Sequence, residues 1–132
     1  MANYEGTFRS NYFGVKNVDA FRQFCKKHNL EFIEKDSRCG FLMTDGTEGG
    51  FSISGWDSEN EEETDVLAEI AEHLAADQVA IVMEVGQEKL RYLVGRAWLV
   101  NADGEQKFLS LADLALEAAK TLTTADITGP EY

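Results

Sequence analysis

The amino-acid sequence predicts a single α+β domain, a mainly antiparallel sheet with about three helices in the order β-α-β-β-β-α-β-β-β-α. Short β-prone runs are separated by turn residues, and three other stretches repeat apolar residues at helical spacing. The 132 residues, of which 44% are hydrophobic, suffice for one core. The single proline, Pro130, and the lack of a repeat or linker predict one domain over residues 1–132, with a loosely held tail at 123–132.

The first half of the chain predicts a strand, a helix and three further strands. Aromatic residues mixed with polar ones over residues 4–15 indicate a strand that ends near Gly14. Asn17 is a suitable helix cap, Phe21 and Phe24 follow at helical spacing, and Asn29 can end the helix. Three short β-prone runs then predict an antiparallel meander, at residues 31–35, 39–43 and 51–56.

The second half predicts a helix, three strands and a last helix. Val66, Ile70 and Leu74 form an apolar stripe with helical period, so acidic residues fall on the opposite, solvent-facing side. Two dipeptides, Gly86-Gln87 and Asp103-Gly104, are expected to join the strands that follow. Those strands are predicted at residues 79–85, 89–101 and 106–109.

One of these strands differs from the others because it is apolar on both faces. It covers residues 90–100, and such a strand should lie in the middle of a sheet and be covered by helices. After the last strand, Ser110 and Asp113 have the spacing of a capping box, which predicts a helix through Leu122.

The charge of the chain is concentrated in one segment. Residues 57–77, called here the acidic segment, hold nine acidic residues and no Lys or Arg, and they supply most of the net charge of -12. Residues 1–56 balance seven acids with seven bases, and residues 78–132 contribute only -3. A block of one sign attracts basic partners and repels nucleic acid.

The acidic segment has two interpretations. Acids near a helix start favour the helix dipole and keep a protein soluble, so the segment could be a solvated face. A binding face is the sharper hypothesis, because solvent-facing helices usually intersperse both signs. Trp56 is then an aromatic anchor at its edge, unless it is a half-buried core residue. The predicted partner-binding residues are Trp56, Asp57, Glu59, Glu61, Glu62, Glu63, Asp65, Glu69 and Glu72.

The sequence predicts no metal site and no cofactor. Asp57, Glu59 and Glu61 alternate like the start of a calcium loop, but Glu62 stands where the sharp turn requires glycine. No cluster of histidine and cysteine has the spacing of a zinc site. The two cysteines, Cys25 and Cys39, are predicted to be reduced and buried.

Catalysis and direct nucleic-acid binding are both disfavoured. His28 and His73 each stand alone on a helix, and no nucleophile elbow or phosphate-binding glycine loop is present. The acid pair Glu84 and Glu88 carries little information in so acidic a chain. Basic residues cluster at only one place, at Arg22, Lys26 and Lys27. Carboxylates at helical spacing can instead imitate a phosphate backbone and occupy the cationic groove of a nucleic-acid-binding protein.

In size, charge and the acidic helix over residues 65–72, the chain loosely resembles the small phage- and plasmid-borne inhibitors of bacterial defence, the anti-CRISPR and anti-restriction proteins. Two further segments, Arg9-Ser10-Asn11-Tyr12-Phe13 and Glu88-Lys89-Leu90-Arg91-Tyr92, resemble those of small accessory proteins of mobile elements. The resemblance implies stoichiometric binding of a CRISPR effector or restriction complex through the negative face, in the cytosol of the host cell.

We therefore expect a protein-binding inhibitor rather than an enzyme. The alternatives are an acidic interaction or immunity-type module that binds a basic partner such as a toxin, and a small enzyme with an unrecognised site. A cytoplasmic location is expected, because no apolar stretch is long enough to cross a bilayer and the first residues do not have the pattern of a signal peptide.

Overall fold

The computed structural model describes residues 4–43, 51, 54–57, 62–88 and 92–129. Its architecture is the α+β fold that the sequence predicts, with a six-stranded antiparallel sheet in the order β2-β3-β1-β6-β7-β8, a separate pair formed by β4 and β5, and three helices. The elements in chain order are β1 (Tyr4–Ser10), α1 (Val18–Lys27), β2 (Leu30–Lys35), β3 (Arg38–Met43), β4 (Ser54–Asp57), β5 (Glu62–Asp65), α2 (Val66–His73), β6 (Val79–Glu88), β7 (Tyr92–Asn101), β8 (Gln106–Ser110) and α3 (Leu111–Ala119).

The boundaries of α1 are those that the sequence predicts. The Asn17 side chain accepts a hydrogen bond from the Ala20 N–H, and Asn29 adopts a φ of 55° just after the helix ends. β1 is shorter than predicted and ends at Ser10. Beyond it, the Asn11 side chain replaces a backbone peptide group in the hydrogen bonds to β6. Its amide donates to the Val79 carbonyl and accepts from the Ile81 N–H, so the backbone leaves the ladder with β6.

The predicted meander is only partly correct. β2 and β3 form a hairpin, but β4 pairs with β5 instead of β3, and β3 pairs with β1. β5 lies inside the acidic segment, where no strand is predicted from the sequence. Four consecutive polar residues give no apolar alternation, so no pattern in the sequence indicates this short strand.

β6 and β7 form the longest pairing in the sheet. The expected turn at Gly86-Gln87 is wrong, because Gly86 pairs with Val94 and Gln87 with Leu93, and β6 continues to Glu88. A strand tolerates glycine where its neighbours supply the packing. The second turn is confirmed: β7 and β8 are joined through Gly104, whose φ of 90° is readily available only to glycine.

The hydrophobic core lies between one face of the sheet and the helices α1 and α2. Even-numbered residues of β6 and β7, such as Val82 and Val100, point toward Phe21 of α1 and Ile70 of α2, and all four are at most 1% exposed. We call this side of the sheet the closed face. Both cysteines are buried and reduced here, as predicted, and burial together with Cys39 raises the pKa of the Cys25 thiol to about 12.

The opposite side of β6, β7 and β8 has apolar residues but little cover, and we call it the open face. It is formed by the odd-numbered residues of β6 from Val79 to Val85, by Leu93, Ala97 and Leu99 of β7, and by Leu109 of β8. The strand that was predicted to be apolar on both faces does lie between two neighbours, but helices cover only one of its faces.

Helix α3 contacts the open face through Leu111, its first residue. Gly95 makes this contact possible, since a Cβ at this position would lie 3.0 Å from Leu111 Cβ. The predicted capping box is wrong in one respect: Ser110 is the N-cap residue, but its hydroxyl makes no capping hydrogen bond. None of the nine residues of α3, all of which the structure describes, is buried. Within the described part of the chain, no helix is long and apolar enough to cross a membrane.

Candidate functional site

The structure distributes the predicted partner-binding residues over three elements that are consecutive in the chain. Trp56 and Asp57 lie in β4, the segment Glu62–Asp65 forms β5, and Glu69 and Glu72 lie in α2. Glu59 and Glu61 lie outside the described residues. In the β4–β5 pair, Trp56 lies opposite Glu63 and Asp57 lies opposite Glu62. The start of the acidic segment is therefore next to β5, although several residues separate the two along the chain.

Glu69 does not face solvent freely, contrary to the prediction for α2. Its Oε2 accepts a hydrogen bond from His28 Nε2 at 2.6 Å, and its Oε1 lies 3.6 Å from Lys27 Nζ. Burial raises the pKa of this carboxyl, but the hydrogen bond from His28 and the nearby positive charges outweigh burial and hold the pKa below the ordinary value. Glu69 therefore ties α2 to the C-terminal end of α1.

The two histidines meet around one aromatic ring. The Phe24 ring centroid lies 4.7 Å from that of His28 and 5.2 Å from that of His73. Partial burial lowers the pKa of His73, against the opposing effect of Glu72 and Glu69. The sequence shows each histidine alone, and only the packing of α1 against α2 brings them together, so spacing along the chain could not reveal this cluster.

A glycine lets the β4–β5 pair approach the same cluster. A Cβ at Gly55 would lie 2.6 Å from His28 Cε1 and 2.8 Å from Thr64 Oγ1. Any larger residue would force β4 away from the ring of His28. The acidic strands are thus seated on the end of α1, beside the ion pair of Glu69.

Asp65 has a structural task as well. One carboxylate oxygen accepts from the Ala68 N–H at 3.1 Å and caps α2, and the other accepts from Gln106 Nε2 at 3.3 Å. By contrast, Glu63 and Glu72 are exposed. Of the predicted residues whose side chains are described, these two present the most accessible carboxylates for a partner.

A further carboxylate, which no pattern distinguishes in so acidic a sequence, is buried on the closed face. Glu84 is fully buried, accepts from the Phe51 N–H at 2.8 Å and pairs with Arg96 Nη2 at 3.0 Å. The guanidinium also lies over the Trp98 ring, with 5.1 Å between Cζ and the ring centroid. Because Glu84 holds the chain at Phe51 against the sheet, its arrangement fits a structural ion pair.

Among the described residues, no three or more His, Cys, Asp or Glu side chains come together in a way that could hold a metal ion. The site therefore consists of carboxylates. Asp65 and Glu69 are held by hydrogen bonds within the chain, and Glu63 and Glu72 are accessible to a partner.

Comparison of the chain with protein-family models, with curated proteins and with solved structures finds no match.

Proposed function

We propose that this protein is a stoichiometric inhibitor that binds a basic nucleic-acid-handling complex, of the CRISPR-effector or restriction type, through its acidic segment. The observation that carries the proposal is the charge of residues 57–77, which hold nine acids without a compensating Lys or Arg. Mutual repulsion among these acids costs stability, so a chain that keeps them together needs a compensating use for them.

The packing of α2 supports a preformed acidic surface. Val66 and Ile70 bury one side of the helix at 2% and 0% exposure, which turns Glu72 outward. The hydrogen bond between Glu69 and His28 fixes how the helix lies on α1. A surface whose shape is set before binding loses little conformational entropy when a partner docks.

The chemistry of the surface indicates the kind of partner. Carboxylates compete with phosphates for the Lys and Arg side chains that line a cationic groove. Binding of this kind displaces nucleic acid without turnover. It also weakens as salt is added, because exposed charge pairs separated by more than about 8 Å are screened at physiological ionic strength.

The proposal is tested by comparing two sixfold variants as baits in a nuclease-treated bacterial lysate. The segment variant leaves Asp65 and Glu69 unchanged, because both have structural roles. It replaces the other acids by their amides at Asp57, Glu59, Glu61, Glu62, Glu63 and Glu72. The control variant removes the same number of exposed acids elsewhere, at Glu5, Glu31, Glu34, Asp36, Asp103 and Asp126.

We expect the wild type and the control variant to retain the same basic nucleic-acid-binding complex and to release it at high salt. The segment variant should retain none while keeping its circular dichroism spectrum. Equal capture by both variants would contradict the proposal. Capture of a small basic toxin instead of a nucleic-acid-handling complex would favour the immunity-type alternative.

A further inference from the structure

The open face exposes an apolar surface at the upper end of what a single domain ordinarily leaves in water. Met83 and Val85 of β6 are 56% and 52% exposed, and Leu93 of β7 is 73% exposed. Isolated exposed apolar residues are common, but a contiguous patch of several marks an interaction site. Cross-strand pairing makes this patch contiguous, because Met83 lies opposite Ala97, and Ala97 lies opposite Leu109.

Helix α3 widens the patch rather than covering it. Leu111 and Leu114 are 64% and 50% exposed, although they point toward the sheet across an apolar groove of about 340 Å³. The groove runs between the helix and the strands β6, β7 and β8. A helix with an apolar stripe gains most of its stability by burying that stripe. Within its own chain, α3 has no buried residue.

We propose that the open face, together with the apolar side of α3, binds a second copy of this chain to form a twofold dimer. The surface is close to the size that this needs. The exposed apolar side chains of the sheet and α3 present on the order of 600 Å², against ~800 Å² per partner for a specific interface of standard size. Partly exposed Ile81 and Leu99 add to this area.

Charge favours a second copy at this face over one at the acidic segment. The whole chain carries -12, so two copies repel each other, and most of that charge lies in the acidic segment. Residues 78–132, which include the entire open face and α3, contribute only -3. Two copies that meet through this face keep the more acidic part of each chain out of the contact.

Symmetry points the same way. In a twofold interface the same patch serves both partners, so it must be complementary to itself. An apolar patch satisfies this condition, since it needs no opposite charge on the other side. Dimerisation buries Met83 and Leu93, and it gives the apolar stripe of α3 the cover that its own chain lacks. This interface is separate from the acidic segment, and it stands even if the proposed inhibitor function fails.

Sedimentation equilibrium of the purified chain tests the proposal. Between about 1 µM and 1 mM, where interfaces at the small end of the specific range dissociate, the wild type should shift from one chain of 14.7 kDa to twice that mass. Met83→Glu should raise the dissociation constant at least ~100-fold, because each copy then buries an unpaired charge. Gln23→Glu is the matched control: it adds the same charge on exposed α1 and should dimerise like the wild type.

A second variant tests the same interface in case Met83→Glu disturbs the folding of the sheet. Leu114→Glu places the charge on the surface of α3, where no strand pairing depends on it, and it should also give monomers. Both variants are checked by circular dichroism and thermal unfolding. A wild type that stays monomeric throughout would overturn the proposal and leave the face to a different partner. Dimers that persist in both folded variants would also overturn it and move the interface elsewhere.

Discussion

The two faces of the six-stranded sheet have similar apolar side chains but different cover. On the closed face, Val82 and Val100 lie under α1 and α2 at 0% and 1% exposure. On the open face, Met83 is the next residue of the same strand, and it is 56% exposed. Alternation along a strand therefore predicts which residues share a face, but not whether a chain covers that face with its own helices. The uncovered face is where a second chain is expected.

The largest expected difference in unfolding free energy is between substitutions on the two faces of β7. Trp98 is 8% exposed and packs against Phe51 and Phe108, so Trp98→Ala should cost about 3–5 kcal/mol of unfolding free energy. Leu93→Ala, on the open face of the same strand, should cost less than about 0.5 kcal/mol in the monomer. Urea unfolding at dilute protein concentration measures both. Equal losses would mean that the open face is covered within one chain.

The next effect concerns the ion pair of the closed face. Glu84→Gln keeps an acceptor for the Phe51 N–H but removes the charge opposite Arg96, and it should cost about 2 kcal/mol. The loss is smaller than for a fully buried pair, because the Arg96 side chain is 39% exposed. A cycle with Arg96→Gln and the double variant isolates the pairing energy. Strict additivity of the two single changes would show that the charges do not stabilise each other.

The smallest effect is a dependence of stability on pH at the end of the closed layer, where α1 meets α2. The folded pKa of His73 is lowered, so its contribution is complete above the ordinary pKa of about 6.5 and is lost as pH falls through the folded value. The folded pKa of Glu69 is lowered too, so its contribution is complete above about 4.3 and is lost at more acidic pH. Acidification should therefore destabilise the fold in two separate windows.

Single variants assign the two windows. Urea unfolding at closely spaced pH values gives the unfolding free energy of each variant. The loss of stability in the upper pH window should be absent in His73→Gln, and the loss in the lower window should be absent in Glu69→Gln. The carboxyl of Glu69 is partly exposed, so its hydrogen bond should be worth about 1 kcal/mol at neutral pH. A Glu69→Gln variant as stable as the wild type at neutral pH would show that the contact with His28 contributes nothing.

Much of the fold follows from local patterns in the sequence. Helical spacing and the cap at Asn17 predict α1, and Asp103-Gly104 predicts the β7–β8 turn, because these features depend on neighbouring residues alone. The strand β5 and the extension of β6 through Gly86-Gln87 could not be predicted in this way, because both depend on pairing with another strand. Pairing energy across strands overrides weak local preference.

The candidate site was less predictable than the fold. Charge density along the chain indicated the acidic segment, but it could not show that Glu69 binds His28, which is 41 positions away. Nor could it show that Asp65 is occupied as a cap. The open face did have a sequence signal, since residues 90–100 are apolar on both sides and so require two covers. The sequence does not show that the chain's own helices bury only one of these sides.

The most direct test of the central claim is a nuclear Overhauser measurement filtered for contacts between chains, on a concentrated mixture of isotope-labelled and unlabelled protein. Methyl groups of Met83, Leu93 and Leu114 should show contacts to the other chain, whereas Val82, on the closed face of the same strand as Met83, should show none. Absence of contacts between chains at Met83, Leu93 and Leu114 would contradict the account.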